Sequence, residues 1–340
     1  MSAPINRQIV LAARPVGNPT ESDLRVVERE VPVPGDGEIL IRNLFISLDP
    51  YNRIMMGNAN SDAVAIDIGQ TMTGATVAVV EESKNADFAV GDHVVSMLSG
   101  WQEYAVSGGW DLRKIDPEQA PPSVSLGVLG HTGLTAWVGL TEIVDPKPGG
   151  TLVVTAAAGA VGSAAVQIGR LRGHRVVGVA GGQEKSRYLL DVLGVDAAVD
   201  YKATDFAEQL ARAVPGGIDT VFENVGAFML EALLPHLNLN AQIVVSGIMS
   251  QITATVPPAG PDRVPDLLRA VLYQTLTIRG FALPDYLGSF PKFIAEVGPW
   301  VADGRVKYTE DIVDGFEAIP SAFIKIFEGR ALGKVIAKIA

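Results

Sequence analysis

The segment Thr151-Leu-Val-Val-Thr-Ala-Ala-Ala-Gly-Ala-Val-Gly162 constrains this chain more than any other. Thr151 to Thr155 reads as a buried strand, and Ala160 to Arg172 reads as a helix closed by Gly173. Small residues between them form a tight strand-to-helix turn, which leaves the first amide N–H groups of the helix facing outward as an anion site. Gly159 admits a phosphate close to the backbone, and Gly162 lets the helix lie near the strand. Ala157 stands where the first glycine of the dinucleotide pattern G-x-G-x-x-G would be. Arg175-Val-Val-Gly-Val-Ala180 follows as a second strand, so strand, turn, helix and strand occur in nucleotide-binding order. A lone glycine pattern is weak; this context makes it a candidate dinucleotide site.

The end of the second strand bears on which dinucleotide. An NAD site places Asp or Glu there for the ribose 2'-hydroxyl. This chain has Ala180-Gly181-Gly182-Gln183, then Lys185 and Arg187, two cations suited to a 2'-phosphate. The alternative is that both are solvated residues of a helix's first turn, a position that disfavours cations. NADPH is the expected cofactor.

The remaining pattern repeats the alternation. A helix from about Glu184 to Leu193 ends at Gly194, Ala197–Val199 is a short strand, and Asp205-x-x-Glu208 reads as a capping box. Asp219–Glu223, Gln242–Ser246 and Thr277–Phe281 supply further strands, which together predict a doubly wound parallel sheet. Before residue 125 the chain is different: short β runs such as Glu38–Arg42, Gly74–Val80 and His93–Ser96, punctuated by Gly and Pro, predict a barrel-like β domain. The apolar run Lys334–Ile339 is expected to return to that domain. The expected division is 1–125 with 300–340, around a dinucleotide-binding domain at 126–299. The 340 residues suit about two domains at ~150 residues each.

Composition removes several functions. With 27 basic and 38 acidic residues the net charge is -11, unlike a nucleic-acid binder with its basic face. There is no cysteine, hence no thiolate nucleophile and no Cys-containing zinc site, and the four histidines (93, 131, 174 and 236) show no ligand spacing. Pro148 to Gly169 is uncharged and long enough to cross a bilayer, but its glycines and polar residues favour a buried strand, turn and helix. No membrane association is expected, and without a leader pattern the expected location is cytoplasmic.

Several motifs together resemble the medium-chain dehydrogenase/reductases, whose split catalytic domain surrounds a Rossmann domain. These are Ser47-Leu-Asp-Pro-Tyr-Asn-Arg53, Ser99-Gly-Trp-Gln-Glu-Tyr104, Gly130-His-Thr-Gly-Leu-Thr-Ala-Trp137, Ala156–Gly162, Gly181–Lys185, Glu223-Asn-Val-Gly226, Pro261-Asp262 and Leu332-Gly-Lys334. Nearly the whole chain is similar to the zinc-free branch of curcumin, prostaglandin and alkenal double-bond reductases. The resemblance implies a GroES-like, mostly-β catalytic domain beside the Rossmann α/β domain, and a homodimer joined through the Rossmann sheet edge. It implies that Gly159, Ala160, Val161 and Gly162 hold the pyrophosphate, and that Gly181, Lys185 and Tyr201 meet the 2'-phosphate end. Asn224, Gly247 and Ile248 would line the cofactor, Phe281, Ala282 and Leu283 would run past the nicotinamide, and Thr135 would approach it. Read without the family, Tyr201 is an edge-strand aromatic and Asn224 a cap for the following helix.

Four positions depart from the family pattern: Gln251 replaces a tyrosine, Ala331 an asparagine, and His131-Thr132 a Met-Pro pair. The activity implied is NADPH-dependent reduction of the C=C bond of an α,β-unsaturated ketone or aldehyde without metal, with hydride going to the β-carbon. The carbonyl oxygen then needs a donor. Tyr51 is the expected donor, or else a packed support; Gln251 can offer a hydrogen bond but no proton at neutral pH. The alternatives are an NADP(H)-dependent carbonyl or alcohol oxidoreductase and a catalytically impaired NADPH-binding protein.

Overall fold

The computed structural model describes residues 4–57, 65–256 and 260–340. The chain forms two compact units, one running up to Gly127 and resuming at Glu310–Ala340, the other spanning Val128–Thr309.

The second unit is built on six parallel strands in the order Ala197–Asp200, Arg175–Ala180, Thr151–Val154, Ile218–Glu223, Leu237–Val245, Thr277–Gly280. Every residue of Thr151–Val154 is buried, as a strand covered on both faces requires. Alternate side chains take opposite faces. Val153, Val177, Val179, Val199, Val221 and Ile243 pack with Leu210, Met229 and Leu233 from the helices Phe206–Ala213 and Ala227–Leu233. Leu152 and Phe222, of the other parity, meet different helices at glycines. A Cβ on Gly169 would lie 2.5 Å from Leu152, and one on Gly139 would lie 2.5 Å from the Phe222 ring. The sheet is thus a doubly wound Rossmann sheet, covered on both faces.

Two details differ from the sequence expectations. Asp205 and Glu208 form no capping box, because the Asp205 carboxylate accepts from Gln209 Nε2 at 2.7 Å and Arg212 Nη2 at 3.2 Å instead. The second chain crossing falls at 309/310 rather than 299/300. Pro299 lies inside the helix Phe290–Ala302, which buries Phe293 and Val297, and the Lys307 backbone is held by Gln167 at 2.7 Å through both its N–H and its carbonyl.

The first unit is mostly antiparallel. Ile5–Leu11 pairs with Leu24–Glu30, and a seven-stranded sheet runs Glu310–Asp314, Lys334–Lys338, Ile39–Ser47, Thr76–Ser83, His93–Ser96, Leu112–Ile115, with Tyr104–Ser107 also on Ile39–Ser47. The returning strand sets Ile336 opposite Ser47 and Ala337 opposite Ile46. Its side chains Val335 and Ala337 join a core with Ile46, Leu48, Trp101, Phe316 and Phe323. Among the described residues no helix is long and apolar enough to cross a membrane.

Three elements of the second unit meet at one carboxylate. Glu296, on Phe290–Ala302, accepts from Arg172 Nη2 at 2.9 Å on both oxygens and from Trp137 Nε1 at 2.6 Å. Arg172 also donates to the Leu140 carbonyl at 3.0 Å. Glu296→Ala strands the guanidinium and the indole N–H, and we expect a loss of about 1–3 kcal/mol. Thermal melting should register this as a fall of roughly 3–10 °C, with Glu296→Gln losing less than half as much because it keeps an acceptor.

Candidate active site

The first strand's end sets the geometry. Thr155 N–H continues the ladder to Phe222 O at 3.0 Å, and Ala157 N–H bonds Val179 O at 3.0 Å, which ties the turn to strands on both sides. Between them Ala156 adopts φ 47°, the left-handed region that L-residues avoid. The helix Ala160–Leu171 then starts from Gly159 with no side-chain cap, so its leading N–H groups keep the positive end of the helix dipole uncovered. The two glycines differ in kind. A Cβ on Gly162 would lie 2.3 Å from Ala156 O, whereas one on Gly159 would meet only that oxygen at 3.3 Å. Gly162 is required by packing, and Gly159 leaves open space over the turn. Ala160 and Val161 are half-buried beside it.

The second and third strands end side by side. Asp200 Oδ1 accepts from Gly182 N–H at 2.7 Å and Lys202 N–H at 2.9 Å, pinning the two strand-end turns together. A Cβ on Gly181 would strike Tyr201 at 2.8 Å and Lys202 Cε at 2.9 Å. Lys185 is half-buried; burial, and then the like charge of Lys202, hold its ammonium below the ordinary lysine value, with Glu184 opposing. Two like charges therefore act on each other here, with Lys202 beside Tyr201. Arg187 is exposed, and the charges that bear on Lys185 are those of Lys202 and Glu184 rather than its own. Sequence reasoning missed Lys202. It sits one residue past Tyr201, and only the adjacency of the second and third strands brings it to Gly181.

The fourth and fifth strands end at a buried carboxylate that the sequence shows only as part of the motif Glu223–Gly226, without a role of its own. Glu223 is 2% exposed. Its Oε1 accepts from Val225 N–H at 2.5 Å and Gly226 N–H at 2.7 Å, and its carbonyl accepts from Ser246 N–H at 2.8 Å and Gly247 N–H at 3.1 Å. Asn224 is not a helix cap: its Nδ2 donates to Thr155 O at 2.7 Å and its N–H to Thr155 Oγ1 at 2.8 Å. Gly247 packs against Asn224, where a Cβ would come 3.1 Å from the carbonyl. The structure thus gathers Asn224 and Gly247 around the end of the first strand.

The other expected residues are more dispersed. Ile248 and Gln251 are exposed, and the Gln251 amide nitrogen lies 3.3 Å from where a Gly226 Cβ would stand. Thr135 Oγ1 donates to the His131 carbonyl at 2.7 Å within the helix His131–Val138. That helix packs on the Leu283–Ser289 turn, which Phe281 and Ala282 precede, and the Phe281 ring stands edge-on to Tyr286 at 5.8 Å.

Tyr51 belongs to the first unit, in the short helix Pro50–Met55 that starts at Asp49. Burial, and then the negative charge of Asp49, raise its phenol above the ordinary tyrosine value, so the O–H stays protonated at neutral pH. Among the described residues no three His, Asp or Glu side chains gather into a metal-holding group.

Burial also raises the Glu223 carboxyl, against the backbone N–H groups that favour its charged form. A carboxyl whose folded value is raised gives stability that is full below its unfolded value and is lost as pH rises through the folded one. The Tm of Glu223→Gln relative to the parent should therefore climb between pH 5 and pH 8, by on the order of a few °C. A flat difference would show that Glu223 is ionised throughout.

Residues 7–115 match the family described as N-terminal domain of oxidoreductase, and 160–298 the one described as zinc-binding dehydrogenase. The chain is 47% identical over 336 residues to the NADPH-dependent curcumin reductase of Escherichia coli (strain K12), covering 98% of this chain and 97% of that one. It is 39% identical over 328 residues to prostaglandin reductase 1 of Rattus norvegicus, covering 95% of each. The crystal structure of CurA from Vibrio vulnificus in complex with NADPH superposes with a TM-score of 0.94 at 44% identity, over 98% of this chain and 99% of that one. Strand order, turn chemistry and these likenesses over nearly the full length agree: the chain belongs to the zinc-independent branch of the medium-chain dehydrogenase/reductases, among the curcumin and prostaglandin reductases.

Proposed function

We propose that this protein uses NADPH to reduce the carbon–carbon double bond of α,β-unsaturated ketones or aldehydes. The observation that carries the reading is that Lys202 and Tyr201 close on Gly181 while the charge of Lys202 acts on Lys185, just past the strand Arg175–Ala180, which ends without a carboxylate of its own. Two ammonium groups that repel each other are stabilised by a dianion between them, and an adenosine 2'-phosphate is that dianion. Gly159 to Gly162 fit the pyrophosphate, because the space over Gly159 is open and the N–H groups of the helix start are uncapped. Asn224, Gly247, Ile248, Thr135 and Phe281–Leu283 serve the remainder of the cofactor.

When bound, NADPH supplies the hydride that reaches the substrate β-carbon. This chain's own part is to receive the charge that builds on the carbonyl oxygen. Tyr51, whose phenol stays protonated, donates a hydrogen bond to that oxygen. Gln251 adds a neutral amide donor, and the α-carbon proton comes from Tyr51 or water.

The test is NADPH consumption by purified protein with a simple aliphatic enone, with the product identified by mass and NMR. A saturated ketone is expected. An allylic alcohol would make the protein a carbonyl reductase, and tight NADPH binding without turnover on a varied acceptor panel would make it a binding protein. Tyr51→Phe should lower kcat/KM on the order of a hundredfold. Lys185→Ala and Lys202→Ala should each weaken NADPH binding about tenfold while leaving NADH within twofold.

We also infer a homodimer through the outer strand Thr277–Gly280. All four of its residues are exposed, and the helix Val264–Tyr273 exposes Leu268, Leu272 and Tyr273 at 62%, 69% and 73%. An unpaired parallel edge beside an apolar helix face suits pairing with a second copy. Light scattering should give twice the chain mass, and Ile278→Lys with Leu272→Lys should give one.

A further inference from the structure

The first unit buries a row of charge that the proposed chemistry does not use. Lys334 begins the strand Lys334–Lys338 and its side chain is 4% exposed, yet it ends in an ammonium. Its Nζ donates to Asp49 Oδ1 at 2.7 Å and to the Leu48 carbonyl at 2.9 Å. Asp49, itself 7% exposed, accepts from Ser47 Oγ on its other oxygen. Glu310 stands opposite Lys334 in the strand register; its Oε2 accepts from Ser123 Oγ at 2.8 Å, and its Oε1 is buried with no hydrogen-bond partner among the described residues. Gly127 lies beside the lysine stem, where a Cβ would stand in ordinary contact with Lys334 Cγ at 3.5 Å.

Stability alone does not call for this arrangement. A well-packed apolar side chain in place of a buried ion pair is often neutral or stabilising. What the ammonium does, and a hydrocarbon cannot, is hold two acceptors of one short segment from 285 residues further along the chain. That segment starts the helix Pro50–Met55. Six residues are too few for a helix to hold its own ends, so its geometry depends on its cap. Asp49 N–H donates to Asn52 Oδ1 at 2.9 Å, Asn52 N–H donates to the Asp49 carbonyl at 3.0 Å, and Asn52 Nδ2 donates to Thr73 O at 2.8 Å. Tyr51 lies between these two clamped residues.

We infer that Lys334 is a positioning residue for Tyr51: by gripping Leu48 and Asp49 it fixes where the phenol O–H is presented to the substrate oxygen. This rests on the reading of Tyr51 as the oxygen's donor.

The test is a double-mutant cycle in the full chain with Lys334→Met, which keeps the stem and removes the charge, and Tyr51→Phe. kcat and KM are measured with an aliphatic enone, and NADPH affinity by fluorescence. Lys334→Met is expected to lower kcat on the order of tenfold, to leave the NADPH Kd within twofold, and to cost less than twofold when Tyr51 is already Phe. Equal losses in both backgrounds, or no loss in the parent, overturn the inference. Asp49→Asn is the second arm: it keeps a capping acceptor and removes the charge that Lys334 grips, so it decides the matter should Lys334→Met not fold, by the same non-additivity with Tyr51→Phe. The two readings fail differently. If Tyr51→Phe alone leaves kcat unchanged, the donor role of Tyr51 falls; if it lowers kcat and the lysine loss adds to it in full, only the role of Lys334 falls.

Discussion

The approach of the helix Ala160–Leu171 to the turn before it governs the parallel-sheet unit. At Gly162 there is no room for even one carbon, because a Cβ would lie 2.3 Å from Ala156 O. Contact this close sets the helix directly over the end of the first strand, and the left-handed backbone at Ala156 is tolerated because hydrogen bonds on both flanks hold it. Lifting the helix by a few tenths of an ångström would move its uncapped N–H groups away from the strand ends where the other turns converge. One missing side chain thus decides whether the carboxyl edge of the sheet can hold an anion.

The other strand ends are tied to that point by polar groups rather than by apolar packing. Thr155 extends the first strand and holds Asn224 through both a hydroxyl and a carbonyl, while Glu223 holds the turns at 225–226 and 246–247 with its side chain and its backbone. At the far side Asp200 does the same for the turns bearing Gly182 and Lys202. Such groups gain strength in a low-dielectric interior and are costly when left incomplete, so they specify one arrangement of the turns. The electrostatics follow from this rigidity: Lys185 and Lys202 are held near each other although their charges repel, an arrangement that favours an anion over a neutral ligand.

The sheet was legible because its signals are local. Apolar runs mark all six strands, although the one expected at Gln242–Ser246 runs Leu237–Val245, and the turn chemistry of 155–162 is written in small residues. Features that depend on neighbours in space were not. Asp205 and Glu208 have the spacing of a capping box, but Gln209 and Arg212 compete for the same carboxylate and win it. Pro299, at the expected domain boundary, sits inside a helix that buries Phe293 and Val297 and runs on to Ala302. By charge alone Lys185 and Arg187 are equivalent, and only the family resemblance favours Lys185; the structure adds Lys202, whose charge acts on Lys185 and which the partner strand brings to Gly181. Glu223 was legible only as the first residue of the motif Glu223–Gly226, with no role of its own, since a carboxylate at a strand end can equally face water.

The departures from the family pattern sharpen the chemistry that remains. Ala331 packs against the apolar core of the first unit, and Gln251 offers an amide that has no proton to give. Neither position can supply what a phenol supplies to a developing oxyanion. In the proposed reaction that demand would fall on Tyr51, with Gln251 adding only an amide, and a lone phenol donor gains most from being fixed in place, because misplacement by an ångström is costly. A six-residue helix does not provide such fixity alone. The buried Asp49–Lys334 pair does, and it makes the geometry of an early loop depend on the last strand of the chain.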